Sequence, residues 1–254
     1  MYESAFTLAR QAHATAHLYN DDDEATPLFV MVSESGGSYD SGSFAATGSF
    51  ASGFWYLANL AATHAAGNVH FCRQALTGGY YELLSSNHVG SFSSGEQRRP
   101  TPDFWNTVLY NRLLGQPLTN LTQSAHGTRW LMYCSKRFSS RVAVLALNYN
   151  RTHAQSMRVV RQPTTDSRSR TVLVYHLTPA VGQNATQSSI TQLNGVPLVV
   201  QQQQENHRTV LPSLEGKLVT TKWLTVAPLT YAFFELMDVS HSNLCDSRPT
   251  TAVE

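Results

Sequence analysis

The chain has 254 residues, 42% of them hydrophobic and 14% charged, and its 18 basic and 17 acidic side chains leave a formal net charge of +1. That apolar content supports a packed core and excludes wholesale disorder. The near-neutral balance excludes a nucleic-acid binder working through bulk charge, because phosphate neutralisation needs clustered Lys and Arg.

In chain order, residues 2–18 pattern as a helix, with Phe6, Leu8, Ala9 and Ala12 leading to Leu18. Residues 21–24 follow as a solvated acidic turn without the ligand spacing of a calcium loop. Residues 27–33 form an almost continuous apolar run of strand length, which predicts a strand buried on both faces of a parallel sheet. Phe50, Phe54, Leu57, Leu60 and Ala61 then recur at three- and four-residue steps, predicting a helix that Gly67 ends. No window in this stretch reaches the roughly 18 consecutive apolar residues of a membrane helix; 44–66 is broken by Gly48, Ser49, Ser52, Gly53, Asn59 and His64. Residues 68–72 read as a second short strand. After a polar, Gly-rich connection over 77–100, Thr101 reads as an N-cap and Pro102 as the first helical residue. Phe104, Trp105, Val108, Leu109 and Leu113 give that helix an apolar face, and Gly115 stops it.

Beyond Gly115 the period switches to two. Strands are predicted over 131–134, 142–149, 171–177, 188–193, 196–200 and 230–237, with Asn194-Gly195 as a hairpin turn. Six short strands with polar turns predict an antiparallel β-sandwich. Residues 201–204, four glutamines, read as an exposed loop.

Cys72, Cys134 and Cys245 are too few for a disulfide scaffold and contain no CxxC pair for zinc. His13 and His17 stand at i, i+4 without a third ligand, and no HExxH occurs, so neither metal nor cofactor is expected. Sequons at Asn120, Asn150 and Asn184 favour a secretory or lysosomal setting, whereas the first residues show no basic and apolar leader. Either the protein is intracellular or its true beginning lies upstream.

One stretch draws attention for chemistry. Glu34 follows directly on a predicted parallel strand and precedes a Gly-rich loop, and the carboxyl ends of such strands are where catalytic groups sit. The next strand ends in Arg73 and Gln74, followed by Gly78-Gly79-Tyr80-Tyr81. The plain alternative is a strand-end Glu paired with Arg73.

From Glu34 to Leu57 the sequence resembles, without a gap, the segment around the catalytic nucleophile of heparanase-like glycoside hydrolases, family 79 of that classification. The resemblance continues in order through Arg73-Gln74, Gly79-Tyr80-Tyr81-Glu82-Leu83 and Thr101-Pro102-Asp103-Phe104-Trp105. It reaches Ala146 to Asn150, Gln192 to Gly195 and Tyr231 to Phe234. It implies a (β/α)8 barrel followed by a β-sandwich, and retaining cleavage of uronic-acid-containing polysaccharides, heparan-sulfate-like glycans or glucuronides. Glu34 falls on the nucleophile, with Arg73 favouring its ionised form. Tyr39, Asp40, Arg73, Gln74, Gly79 and Tyr81 fall on substrate-binding positions. Cys134 and Cys245 match a cysteine pair that ties the family's sandwich, which leaves Cys72 as a buried, inert thiol.

The family's acid/base Glu sits in an Asn-Glu-Pro motif, and that motif is absent from this chain. A full barrel takes about 250 residues, whereas only two barrel-like strands occur here. Residues 1–115 therefore read as the C-terminal part of a barrel, its last two βα units, and 116–254 as the β-sandwich. The missing N-terminal barrel half is expected in cis or as a second chain, and this chain alone is expected to be inactive. With a signal peptide upstream, the protein is expected to be secreted, lysosomal or membrane-associated and extracellular. The alternative is a non-catalytic glycan- or partner-binding protein on the same scaffold. Asp40 stands where family members often carry Gly next to the sugar carboxylate, so a neutral or differently charged sugar is expected. Arg98-Arg99, and Lys136-Arg137 with Arg141, offer contacts to a sulfated glycan, with small solvated basic clusters as the plainer reading.

Overall fold

A computed structural model describes residues 11–12, 14–15, 30–67, 70–85, 98–118, 123–125, 127–138, 140–158, 168–180, 185–202, 209–240 and Cys245. The predicted helix over 2–18, with His13 and His17, lies mostly outside these residues, as do the acidic turn, Asn120 and Asn184. No helix among the described residues is long and apolar enough to cross a membrane. The chain divides into two compact units, one made of residues 1–106 with 182–190 and the other of 107–181 with 191–254. This division falls inside a helix rather than at residue 115.

In the first unit, strand β1 (Met31–Ser35) pairs in parallel with β2 (His70–Arg73) across helix α1 (Ser52–Ala65). The apolar period predicted for α1 is realised: Phe54, Leu57, Leu60 and Ala61 are buried, and Tyr56 lies 6.0 Å from the Phe71 ring of β2. No side chain caps its start. Instead the Ser52, Gly53 and Phe54 amides donate to the Ser49, Phe50 and Ala51 carbonyls of the preceding turn. The Phe50 and Ala51 amides, just before the helix, donate to the Ser188 and Thr186 carbonyls, both at 2.8 Å, which is how 185–190, predicted partly as a strand of the sandwich, comes to belong with this unit.

The expected burial of β1 on both faces is not found. Met31, Ser33, His70 and Cys72 are all exposed, so one face of the parallel pair is open among the described residues. Cys72, expected to be buried, is an exposed free thiol for the same reason.

Helix α2 (Pro102–Leu113) begins at the predicted proline. It runs directly into β3 (Leu114–Pro117), the first strand of the second unit's nine-stranded sheet. The sheet continues with β4 (Gln123–Ala125), β5 (Thr128–Ser135) and β6 (Arg141–Asn148). A separate short strand, β7 (Gln155–Met157), precedes β8 (Arg170–Pro179), β9 (Thr191–Leu193) and β10 (Val196–Pro197). Last come β11 (Lys217–Thr221), β12 (Leu224–Val226) and β13 (Thr230–Ser240). The antiparallel order is β10-β9-β8-β13-β6-β5-β3, with β11 also on β8 and β4 also on β5. Val142, Val144 and Ala146 of β6 share a buried face with Ala232, Phe234 and Leu236 of β13, and Leu224, Val226 and Met157 of the β12–β7 pair pack on it. The opposite face is buried too, with Tyr133, Leu145, Tyr175 and Phe233 at its centre. β3, β4, β7, β11 and β12, of three to five residues each, are too short to show a period in the sequence. Gln201–Gln202, read as loop, pair with Thr209–Val210.

Candidate active site

The two parallel strands place their carboxyl ends side by side, with Ser35 opposite Arg73. Between the pairs Val32–Phe71 and Ser35–Arg73, β1 has two intervening residues and β2 has one. An extra residue of this kind breaks the alternation of side chains and re-aims one of them. Strict alternation from Val32 would turn Glu34 back toward α1. With the extra residue, Ser33 and Glu34 are both exposed, and Ser35 is the one turned in, accepting a 3.4 Å hydrogen bond from Asn59 Nδ2 of α1.

The loops after the strands are joined, since the Tyr80 amide donates to the Ser41 carbonyl at 3.0 Å. Tyr81 is buried with its ring against both loops: a Cβ added at Gly36 or Gly79 would lie 3.1 or 3.2 Å from it. Gln74 is half-buried, with its Oε1 3.3 Å from the place a Cβ on Gly36 would take. Gly79 and Asp40 are exposed, and Tyr39 projects with 96% exposure. Asp40, Ser41 and Gly42 follow one another at φ 52°, 61° and 73°, a left-handed run at a site where two of the three residues carry side chains.

Arg73 departs from the expectation. It is neither on the rim nor paired with Glu34; its side chain is turned inward, where its Nη2 meets Asp103 Oδ2 at 3.0 Å with both side chains 3% exposed. The cause is register, because the partner of inward-facing Ser35 must face inward as well. Asp103 also accepts from Ser52 Oγ at 2.8 Å and Asn106 Nδ2 at 3.3 Å. Burial pushes the Asp103 carboxyl up from its ordinary value, and Arg73, Ser52 and Asn106 pull it back. A second buried carboxylate, Glu82, accepts from the Gly78 amide at 2.6 Å and meets Arg98 Nη1 at 3.5 Å, which holds the second loop. Sequence reading passed over Asp103 and Glu82 because each sat in a stretch read only for helix capping or family likeness.

Other expected features are distributed over the second unit. Cys134 and Cys245 are joined by a disulfide with Cα atoms 5.5 Å apart. Asn150 Oδ1 accepts from the Thr152 and His153 amides, both at 2.9 Å. Arg137 is only partly solvated, its side chain 24% exposed: it reaches Tyr175, Glu235 at 3.4 Å and Glu215 at 3.8 Å, around a Glu235 that is 0% exposed. Arg141 lies 5.0 Å over the Phe138 ring. Among the described residues no cluster of three or more His, Cys, Asp or Glu is arranged to hold a metal.

No family model matches the chain. Baicalin-beta-D-glucuronidase of Scutellaria baicalensis is 30% identical over 225 residues, 87% of this chain. Heparanase-like protein 2 of Arabidopsis thaliana is 29% identical over 67% of this chain. The chain is a relative of the heparanase-like proteins. It spans 38% of the length of the first of these relatives and 34% of the second. Among solved structures, the GH51 arabinofuranosidase from Xanthomonas axonopodis pv. citri matches with a TM-score of 0.51 at 14% identity, over 92% of this chain and 46% of that one. The heparanase-like relative thus shares its fold with part of a glycoside hydrolase.

Proposed function

We propose that this chain is the nucleophile-bearing part of a retaining glycoside hydrolase acting on uronic-acid-containing glycans or glucuronides. The observation that carries the reading is Glu34, exposed at the irregular tip of β1 beside the Gly-rich loops. In the first step its carboxylate forms an ester bond to the anomeric carbon while the glycosidic C–O bond breaks. The leaving oxygen takes a proton from a general acid, and in the second step water releases the sugar. The names of the relatives support this substrate class.

Retention needs a second carboxyl group about 5–5.5 Å from the first. We assign it to a segment outside these 254 residues, supplied in cis or by a second chain. The open face of β1 and β2 supports the same arrangement, as the inner face of a (β/α)8 barrel whose other strands lie elsewhere, with the second unit as the β-sandwich. The disulfide supports an oxidising, secretory setting.

A 2-deoxy-2-fluoro-glucuronide with a dinitrophenolate leaving group tests the proposal, since such a leaving group needs no general acid. Peptide mass mapping is expected to find a sugar ester on Glu34, and none in Glu34→Gln. An unlabelled, folded chain that still binds the sugar would point to a non-catalytic glycan binder instead. Because Asp40 brings negative charge toward an anionic sugar, it is expected to narrow the preference for the glucuronide over the corresponding fluoro-glucoside. Asp40→Gly is expected to shift the ratio toward the glucuronide, and an unchanged ratio would remove Asp40 from specificity.

A further inference from the structure

The buried pair Arg73–Asp103 lies next to the tip that carries Glu34, and its contacts converge on one backbone atom. The Ser35 carbonyl accepts from the Gln74 amide at 3.0 Å and from Arg73 Nη1 at 3.4 Å. Arg73 is held in turn from several sides. Its Nη2 donates to Asp103 Oδ2 at 3.0 Å and to the Tyr81 carbonyl at 3.1 Å. The guanidinium carbon sits 4.8 Å from the Tyr56 ring centroid, 5.1 Å from that of Trp55 and 5.9 Å from that of Tyr81. Asp103 is fixed by Ser52 of α1 and Asn106 of α2. One cation therefore ties β2, α1, α2 and the second loop to the residue that follows Glu34.

A buried ion pair is a poor device for stability alone, because desolvating two charges offsets their attraction and an apolar pair of similar volume serves as well or better. What it supplies is direction. We propose that Arg73 and Asp103 are positioning residues for Glu34: they lock Ser35 inward, and with Val32 also inward the chain can only present Ser33 and Glu34 outward. This rests on the reading of Glu34 as nucleophile. The consequence falls on the reacting step rather than on sugar affinity, since displacement of an attacking oxygen by an ångström costs about 100-fold in rate.

The test compares the full chain with Asp103→Asn and with the apolar double variant Arg73→Met/Asp103→Leu. Labelling of Glu34 by the fluoro-glucuronide is followed at saturating probe, and thermal midpoints are recorded alongside. For both variants the saturating rate is expected to fall about 10- to 100-fold, with the half-saturating probe concentration changed less than about threefold. The double variant is expected to keep its midpoint. A double variant that keeps its midpoint and labels at the wild-type rate overturns the proposal. Amide exchange at Gln74, whose N–H is bonded to Ser35, supplies an arm independent of chemistry and of the double variant. It is expected to quicken about tenfold or more in Asp103→Asn while α1 amides stay protected, and unchanged Gln74 exchange overturns the positioning role. Absence of any wild-type adduct, with Gln74 responding as expected, overturns the nucleophile reading and reduces the pair to an anchor of the strand tip.

Discussion

Ser41 and Gly42 adjoin in the left-handed region, yet they respond to substitution in opposite directions. At φ 61° the Ser41 side chain crowds its own carbonyl, which costs roughly 1–2 kcal/mol in this region. Part of that is returned by the greater unfolded-state freedom of glycine. Ser41→Gly is therefore expected to raise stability by up to about 1 kcal/mol, read as a higher urea midpoint at unchanged slope. At Gly42 a Cβ would meet Thr47 Oγ1 at 2.3 Å and Thr47 Cγ2 at 2.8 Å, with φ at 73°. Thr47 cannot turn aside without loss, because its hydroxyl lies 3.0 Å from the Ser43 amide and 2.9 Å from the Ser43 carbonyl. Gly42→Ala is expected to lower stability by about 2–3 kcal/mol. A neutral Gly42→Ala would show that the loop adopts another path in solution.

Elements were legible in the sequence wherever a period ran long enough to show. The four turns of α1, the strand β6 and the strand β13 appear close to their predicted limits, and the Asn194-Gly195 turn joins β9 to β10 with both residues at positive φ. What could not be read is long-range choice. The inward turn of Arg73 depends on one extra residue in β1, and nothing local in Ser33-Glu34-Ser35 announces which residue will be the extra one. Asp103 stands in the first turn of α2, and only the fold shows that it faces Arg73. The same limit holds for His176 on β8, an ordinary strand residue in sequence. Its Nε2 lies 2.8 Å from Thr230 Oγ1, which itself lies 2.8 Å from the Ala227 carbonyl. Burial holds His176 below its ordinary 6.5. The unfolded chain takes up a proton near pH 6.5 while the folded one does not, so this contribution is complete above about pH 6.5 and is lost as the pH falls toward the folded value. The slope attributable to one such group is at most about 1.4 kcal/mol per pH unit. Urea midpoints between pH 7.5 and 5.5 are expected to fall less steeply in His176→Gln than in the parent, and equal slopes would clear His176 of the effect.

At the scale of the chain, the link with the longest reach is Cys134–Cys245, which joins two positions of the second unit that stand 111 residues apart in sequence. Cys134 sits in β5 at the edge of the apolar cluster that includes Trp130, Val142 and Val239. Cys245 follows the last strand, with its sulfur 3.9 Å from the Arg141 carbonyl. Tying these positions restricts, in the unfolded ensemble, the segment that carries six of the sheet's nine strands, β6, β8, β9, β10, β11 and β13, and on the chain-entropy view a loop of this length contributes about 4–5 kcal/mol. Cys134 is itself buried, so replacing it would mix the loss of the link with a packing defect. Cys245→Ala separates the two, because Cys245 is only partly buried and Cys134 keeps its place in the cluster. Unfolding can be followed from inside the unit through Trp130, which stacks on Phe234 with ring centroids 6.4 Å apart. Cys245→Ala, and the parent protein under reductant, are both expected to shift the urea midpoint down by an amount corresponding to about 4–5 kcal/mol. If reductant lowers the midpoint of the parent but leaves Cys245→Ala unmoved, the link is the cause. If the parent is equally stable with and without reductant, the unit is held by its apolar core alone, and the oxidising compartment inferred from the disulfide loses its physical support.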